Sequence, residues 1–335
     1  MKALLQVKNL SIGIKRGNER GKTSLLSSVE DISFNIYNGE IVGLVGESGS
    51  GKSLTALSIP GLLGENKKVT NGGILFSDNN FEKDLLTLSE KELQTIRGRK
   101  IAFVFQEAFS SLNPLVKIGD QIAETLELHI EKNKKDKYKI KKQVIEIMEK
   151  LKLPNPEKLA KSYPHQLSGG MCQRIVIALA VICRPRLLIA DEPTTALDKD
   201  TQEQIIRLLQ EINQDFGSSI LFISHDLSLI KNLCSRVLVM YSGRILEEGS
   251  TEEVLSRPAH EYTKGLLASI PGKANRGQDL AAIPGRIPSL EEGRPSGCPF
   301  HPRCIKASPL CKRDFPPERK ISAVHKTHCI QGGNQ

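Results

Sequence analysis

The sequence predicts an α/β fold built on a largely parallel sheet, with a helical segment inserted partway along and an irregular, cysteine-containing extension after it. Three observations carry that expectation. Residues 101–106 (IAFVFQ), 187–191 (LLIAD) and 220–224 (ILFIS) are near-continuous apolar runs, the pattern of parallel strands buried on both faces. Residues 40–46 (EIVGLVG) form another short apolar run, which leads through a glycine-rich turn into SLTALSIPGLL, a helix halted near Pro60. Residues 237–249 (VLVMYSGRILEEG) set Ser-Gly between two apolar halves, as in a closing hairpin.

Between the strands at 101–106 and 187–191 the texture changes to helical periodicity, in IGDQIAETLEL and KKQVIEIMEKLKL. The expected organisation is therefore a main domain over residues 1–256, interrupted by a helical subdomain at about 107–170, followed by an extension over 257–335. The extension opens on a stretch rich in proline, glycine and charge, which reads as an irregular arm.

With 47 basic and 38 acidic residues the net charge is +9, suited to a nucleotide, an anionic membrane surface or nucleic acid. The lysine-rich segment at 131–143 (EKNKKDKYKIKKQ) reads as a solvated helix face, so no nucleic-acid partner is expected. The most apolar run, IVIALAVIC at 175–183, is far short of the ~18 residues that cross a bilayer. The opening MKALLQVKNLSI lacks the features of a secretion signal, which places the chain in the cytosol. In that reducing compartment the seven cysteines argue against a disulfide framework.

The chemistry begins at GESGSGKS, which matches G-x-x-x-x-G-K-[ST] between a strand and a helix. Gly46, Glu47, Ser48, Gly49, Ser50 and Gly51 form a loop whose backbone N–H groups can surround phosphate oxygens, because the glycines permit close approach. Lys52 reaches the β and γ phosphates and Ser53 can ligate Mg²⁺. Asp191 closes a buried strand, where open parallel sheets bind ligands, and can hold hydrated Mg²⁺; Glu192 beside it can polarise an attacking water. His225, after the strand at 220–224, can sense the γ-phosphate or orient the water, or can simply begin a helix. LSGGMCQR at 167–174 is a second glycine-rich helix start, with Ser168 as its cap and Gly169 and Gly170 giving close access to an anion.

In this order the motifs resemble those of ATP-binding-cassette (ABC) ATPases, a P-loop NTPase family, over residues 4–250. The resemblance implies that the Ser168 region binds the γ-phosphate of ATP held by a second subunit's phosphate loop. It also implies that Gln106 ligates Mg²⁺ and faces membrane subunits, and that Asp198, ending TALD, communicates across the dimer. The sequence departs from the pattern at Met171, where the signature usually has glutamine, and at Cys172, where related peptide importers commonly have a basic residue. Where many relatives stack an aromatic on adenine, near Thr23, this chain has none; its first aromatic is Phe34.

FQEAFSSLNP, SGGMCQR, PTTALD, HEYTKGLLASIP and IPGRIPSL together resemble the ATPase subunits of oligopeptide and dipeptide importers. That implies ATP hydrolysis coupled to peptide import, from the cytoplasmic face of the membrane. The partners implied are a second, homologous ATPase in a heterodimer, two permeases and, indirectly, an extracytoplasmic peptide-binding protein. Nickel or metallophore importers are the alternative, with ribosome- or DNA-acting ABC ATPases further off.

Four cysteines, Cys298, Cys304, Cys311 and Cys329, share a proline-rich tail with little apolar content to hold it. Their spacing, C-x5-C-x6-C-x17-C, lacks the tight pairs of zinc sites and leaves open an iron–sulfur cluster, zinc or unligated thiols, with His301, His325 and His328 as alternative ligands. The family resemblance implies a [4Fe–4S] cluster on the four cysteines, in a structural role.

Overall fold

The structure, a computed structural model, describes residues 2–17, 23–78, 81–129, 136–270 and 282–331. Two long strands open the chain, β1 (Ala3–Gly17) and β2 (Thr23–Tyr37), followed by β3 (Ile41–Val45), α1 (Lys52–Ser58), β4 (Lys67–Asp78) and β5 (Phe81–Asp84). Next come α2 (Glu90–Ile96), β6 (Ile101–Val104), α3 (Ile118–His129), α4 (Lys137–Lys150), α5 (Pro156–Leu159), α6 (Gly169–Val181), β7 (Leu187–Asp191) and α7 (Lys199–Phe216). The chain continues through β8 (Ser219–Ser224), α8 (Leu227–Leu233), β9 (Arg236–Tyr241), β10 (Arg244–Ser250), α9 (Thr251–Ser256) and α10 (Glu261–Ala268). It closes with α11 (Leu310–Arg313), β11 (Arg319–Lys320) and β12 (Lys326–Thr327).

These elements form two compact units. The first comprises Met1–Tyr37, Ile41–Thr87 and Phe222–Gln335. It contains a four-stranded antiparallel sheet, ordered β2-β1-β4-β5, and the strands β11-β12-β10-β9-β3, of which β3 and β9 pair in parallel. The antiparallel sheet was not expected from sequence. Its registers shift where Asn9 and Asp31 take left-handed backbone (φ 46 and 52), and the Asn9 side-chain amide donates to Asp31 Oδ1 at 2.8 Å. Such bulges break the alternation by which strands are recognised.

The β9–β10 hairpin stands where the sequence placed it, turning on Ser242 and Gly243, both at positive φ (44 and 79), the conformation that two-residue hairpins favour. The tail is less irregular than its composition suggested, because Lys326 and Thr327 pair with β10. Phe300 enters the unit's core, its ring 5.4 Å from that of Tyr241 and 5.3 Å from that of Tyr262.

The second unit comprises Asn38–Glu40 and Leu88–Leu221. Here β6 and β7 run parallel, and α3, α4 and α6 pack on one another, with Ile122, Leu126, Val144, Met148 and Ile175 buried. Asp136 caps α4, accepting from the N–H of Tyr138, and Lys139, Lys141 and Lys142 are exposed, a solvated face as expected; residues 131–135 of the lysine-rich segment lie outside the described residues. The apolar side of α7 is buried through Ile205, Leu208, Leu209 and Ile212. Among the described residues no helix is long and apolar enough to cross a membrane.

One boundary differs from the sequence reading. β6 stops at Val104, so Gln106 stands two residues beyond the strand and is exposed. The helix after the glycine-rich loop ends at Ser58, capped at Ile59, so it halts near Pro60 as expected.

Candidate functional site

The glycine-rich loop joins β3 to α1 in the first unit. Gly46, Gly49 and Gly51 all have positive φ (156, 80 and 103), a run that side chains with a Cβ resist. At Gly46 the demand is also spatial, because a Cβ there would lie 2.1 Å from the carbonyl oxygen of Met240 in β9. Lys52 is buried and folds back over the loop, its Nζ donating to the carbonyls of Gly46 (2.8 Å) and Glu47 (3.0 Å). Ser48, Gly49 and Ser53 are exposed, and Ser50 is buried, its carbonyl accepting from the N–H of Gly243 in the hairpin turn at 2.8 Å. The result is a concave backbone surface of the kind that binds phosphate, with one ammonium held inside it.

Glu47 is fastened to the extension. Its N–H donates to the Tyr262 hydroxyl at 2.9 Å, and its carboxylate takes both arms of the Arg303 guanidinium at 2.6 and 3.1 Å. Sequence reasoning found neither partner, since nothing local in HPRC or HEYTK points to residues so distant along the chain.

In the second unit, Asp191 ends β7 and is buried, while Glu192 follows at φ 46 in the left-handed region. Glu192 Oε2 accepts from Thr195 Oγ1 at 3.0 Å and from Gln106 Nε2 at 3.2 Å, so two expected site residues from separate segments meet. Asp198 caps α7, accepting from the N–H and the hydroxyl of Thr201 at 2.9 and 2.7 Å, and these bonds hold its carboxyl below the usual range.

Ser168 caps α6 as expected, its hydroxyl accepting from the N–H of Met171 at 3.3 Å. A Cβ at Gly169 would meet only Leu197, at 3.9 Å, whereas one at Gly170 would stand 2.7 Å from Thr201 Cγ2. Gly169 is thus open to a ligand, and Gly170 is also a packing position. Cys172 is buried, with its thiol toward the Pro164 carbonyl at 3.8 Å. His225, in the first unit, is exposed after β8, and it is Asp226 that caps α8. The side chain of Thr23 lies outside the described residues.

Cys298, Cys304, Cys311 and Cys329 line one cavity with His260, His301 and His328. Burial pushes the Cys298 thiol up to about 12 and raises that of Cys304, whereas it pushes His260 down to about 4. His260 was missed by sequence reasoning; its Nε2 lies 3.8 Å from Cys298 Sγ, and its Nδ1 accepts from the N–H of Tyr262 at the start of α10. Among the described residues no group of three or more His, Cys, Asp or Glu side chains is arranged to hold a metal ion, and the four cysteines line the cavity as free thiols. Of the alternative ligands, His325 is turned away and meets Glu247 at 2.7 Å, while His301 and His328 are engaged by the carbonyls of Cys298 and Pro316.

A family model described as ABC transporter matches residues 29–195, and one described as the oligopeptide/dipeptide transporter C-terminal region matches residues 246–311. The oligopeptide transport ATP-binding protein OppD of Salmonella typhimurium is 42% identical over 306 residues, covering 91% of this chain and 88% of its own. The dipeptide transport ATP-binding protein DppD of Bacillus subtilis is 42% identical over 330 residues, covering 98% and 95%. Among solved structures, a dimeric ATP-binding cassette in a post-hydrolysis state with ADP and Pi is 29% identical with a TM-score of 0.63, covering 74% of this chain and 98% of that chain. The chain therefore belongs to the ABC transporter family, among the ATP-binding proteins that carry the oligopeptide/dipeptide transporter C-terminal region.

Proposed function

We propose that this protein is the subunit that binds and hydrolyses ATP to drive peptide import through a membrane ABC transporter. The observation that carries the reading is the complete loop Gly46–Ser53 with Lys52 folded into it, in a chain whose relatives are named as oligopeptide and dipeptide transport ATP-binding proteins. Gly46, Glu47, Ser48, Gly49, Ser50, Gly51 and Lys52 cradle the phosphates, and Ser53, Gln106 and Asp191 are the groups with the oxygen chemistry for Mg²⁺. Mg²⁺, when bound, neutralises charge on the phosphates. Glu192 would polarise the attacking water, and His225 would sense the γ-phosphate or orient that water. Ser168, Gly169 and Gly170 serve the nucleotide of a second, homologous ATPase.

The reading places the protein at the cytoplasmic face of the membrane, beneath two permeases. Support for a permease-facing surface comes from the segment after β6, where Phe105, Phe109 and Leu115 are exposed beside Gln106 (43%, 53% and 85%). Copurification tests it. Recovery with two permeases and a second ATPase, and ATP-dependent peptide uptake by the reconstituted assembly, are expected; uptake of nickel or a metallophore instead would overturn the peptide assignment.

A [4Fe–4S] cluster on Cys298, Cys304, Cys311 and Cys329 is the finer part of the proposal. Its support is that all four thiols line one cavity, with raised pKa values at Cys298 and Cys304 that a thiolate-binding group would offset. Such a group, when bound, would fasten the tail by its Fe–S bonds. Anaerobic purification with iron and acid-labile sulfide analysis decides between about four of each per chain and none.

A further inference from the structure

The contact between Glu47 and Arg303 joins the nucleotide loop to a part of the chain to which phosphoryl transfer assigns no task. Arg303 is nearly buried, its side chain 6% exposed, and every direction of its guanidinium is used. Nε donates to the Pro284 carbonyl at 2.8 Å, the two terminal nitrogens take the Glu47 carboxylate, and the Tyr241 hydroxyl and Ile283 carbonyl lie 3.4 Å away. The guanidinium also faces the Tyr241 ring, at 5.7 Å. A planar fork fixed at its stem is the geometry that holds a carboxylate in one orientation.

Glu47 is the first variable residue of G-x-x-x-x-G-K-S. Its backbone is held by Tyr262, whose hydroxyl accepts the Glu47 N–H, and its carbonyl accepts from Lys52. Tyr262 is fully buried and packs on Tyr241 and Phe300. Phe300 and Arg303 both lie between Cys298 and Cys304, so the segment that fastens Glu47 also forms the wall of the thiol-lined cavity.

We infer that Arg303, with Tyr262, is a positioning residue for ATP binding: it fixes the phosphate loop at Glu47, so that the extension sets nucleotide affinity. Arg303 touches no phosphate in this role and acts through Glu47. A preformed loop binds without having to be ordered by its ligand, and a released one spends part of the binding energy on ordering. The inference rests on the ATPase reading above.

The test uses the full chain assembled with its permeases and partner ATPase, reading both equilibrium binding of a labelled ATP analogue and the KM and kcat of hydrolysis. Arg303→Ala and Glu47→Gln are each expected to weaken binding and raise KM roughly tenfold with kcat within about twofold, the pattern of lost binding without lost chemistry. The double variant should be no worse than the worse single one, since both remove the same contact. Arg303→Lys should recover only part, having charge without the fork, and Tyr262→Phe should cost about threefold. Arg286→Ala, which breaks the exposed Arg286–Glu292 pair of the same extension, is the control and should change neither constant. Should Arg303→Ala not assemble, Glu47→Gln and Tyr262→Phe carry the test, because both leave the anchoring of Arg303 to Pro284 in place. Unchanged affinity in those variants, or additive losses in the double variant, overturns the inference. A wild-type assembly that binds ATP without hydrolysing it overturns the ATPase reading alone, and one that binds none overturns both.

Discussion

The side-chain amide of Gln106 donates to the carboxylate of Glu192 across 3.2 Å, while Thr195 holds the same oxygen from its own loop at 3.0 Å. Glu192 is thus oriented by two donors, on a residue whose backbone is itself in the left-handed region. Glu192→Gln should retain ATP binding and lower steady-state phosphate release by at least about a hundredfold, the usual scale for removing a general base. Phosphate release at the wild-type rate in the assembled transporter would remove Glu192 from that role. Gln106→Ala should slow hydrolysis less and lower the peptide transported per ATP, measured by parallel uptake and phosphate assays.

The glycines of the phosphate loop differ in what they tolerate. Gly46→Ala sets a Cβ 2.1 Å from a backbone oxygen of β9, so the loop must move and ATP binding should fall below detection. A Cβ at Gly49 would have nothing within 4 Å, so Gly49→Ala should cost only about 1 kcal/mol of backbone strain and keep measurable binding. Calorimetric titration with ATP separates the two.

Ser168→Ala removes the α6 cap and should cost about 1 kcal/mol in denaturant unfolding. Gly170→Ala should cost more, about 1–3 kcal/mol, because Thr201 is held by Asp198 and cannot yield cheaply. Hydrolysis by the assembled transporter should fall with both, and far more than the Ser168→Ala stability loss accounts for.

Glu247 is buried in β10 and accepts from the N–H groups of Ala259 and His260 and from His325 Nε2, at 2.6, 2.9 and 2.7 Å. His325→Ala removes one of three donors from a buried carboxylate and opens space beside it, and should cost about 2–4 kcal/mol in urea unfolding. A loss below about 0.5 kcal/mol would show that the carboxylate is satisfied without it.

Where local geometry is written in consecutive residues, the sequence was enough. Gly46 to Ser53 and Ser168 to Gly170 announce a loop and a cap because the glycines, lysine and hydroxyl act within a few positions of one another. What stayed hidden depends on distance along the chain. Glu47 and Arg303 are 256 positions apart, and the strand at Lys326–Thr327 is too short to recognise apart from its pairing with β10. The N-terminal antiparallel sheet was hidden for another reason: with the register shifts near Asn9 and Asp31, the buried positions of β1 pass from Leu5 and Val7 to Leu10 and Ile12, which breaks the alternation. The four cysteines could be counted in the sequence, but their gathering around one cavity with His260 could not.

The division of the chain bears on how the protein is made. The second unit is drawn almost wholly from Leu88–Leu221, whereas the first needs both the opening strands and residues as late as Thr327. During synthesis the interior unit is therefore complete in the nascent chain while the phosphate-binding unit is still missing strands, its hairpin edge at β10 uncovered and Glu47 without Arg303. An unpaired edge is where nascent chains associate wrongly. A ribosome that stalls between Ser250 and Arg303 thus leaves a product with every residue of its phosphate loop but without the segment that fastens it, exposed to holdase chaperones and proteases for as long as the stall lasts.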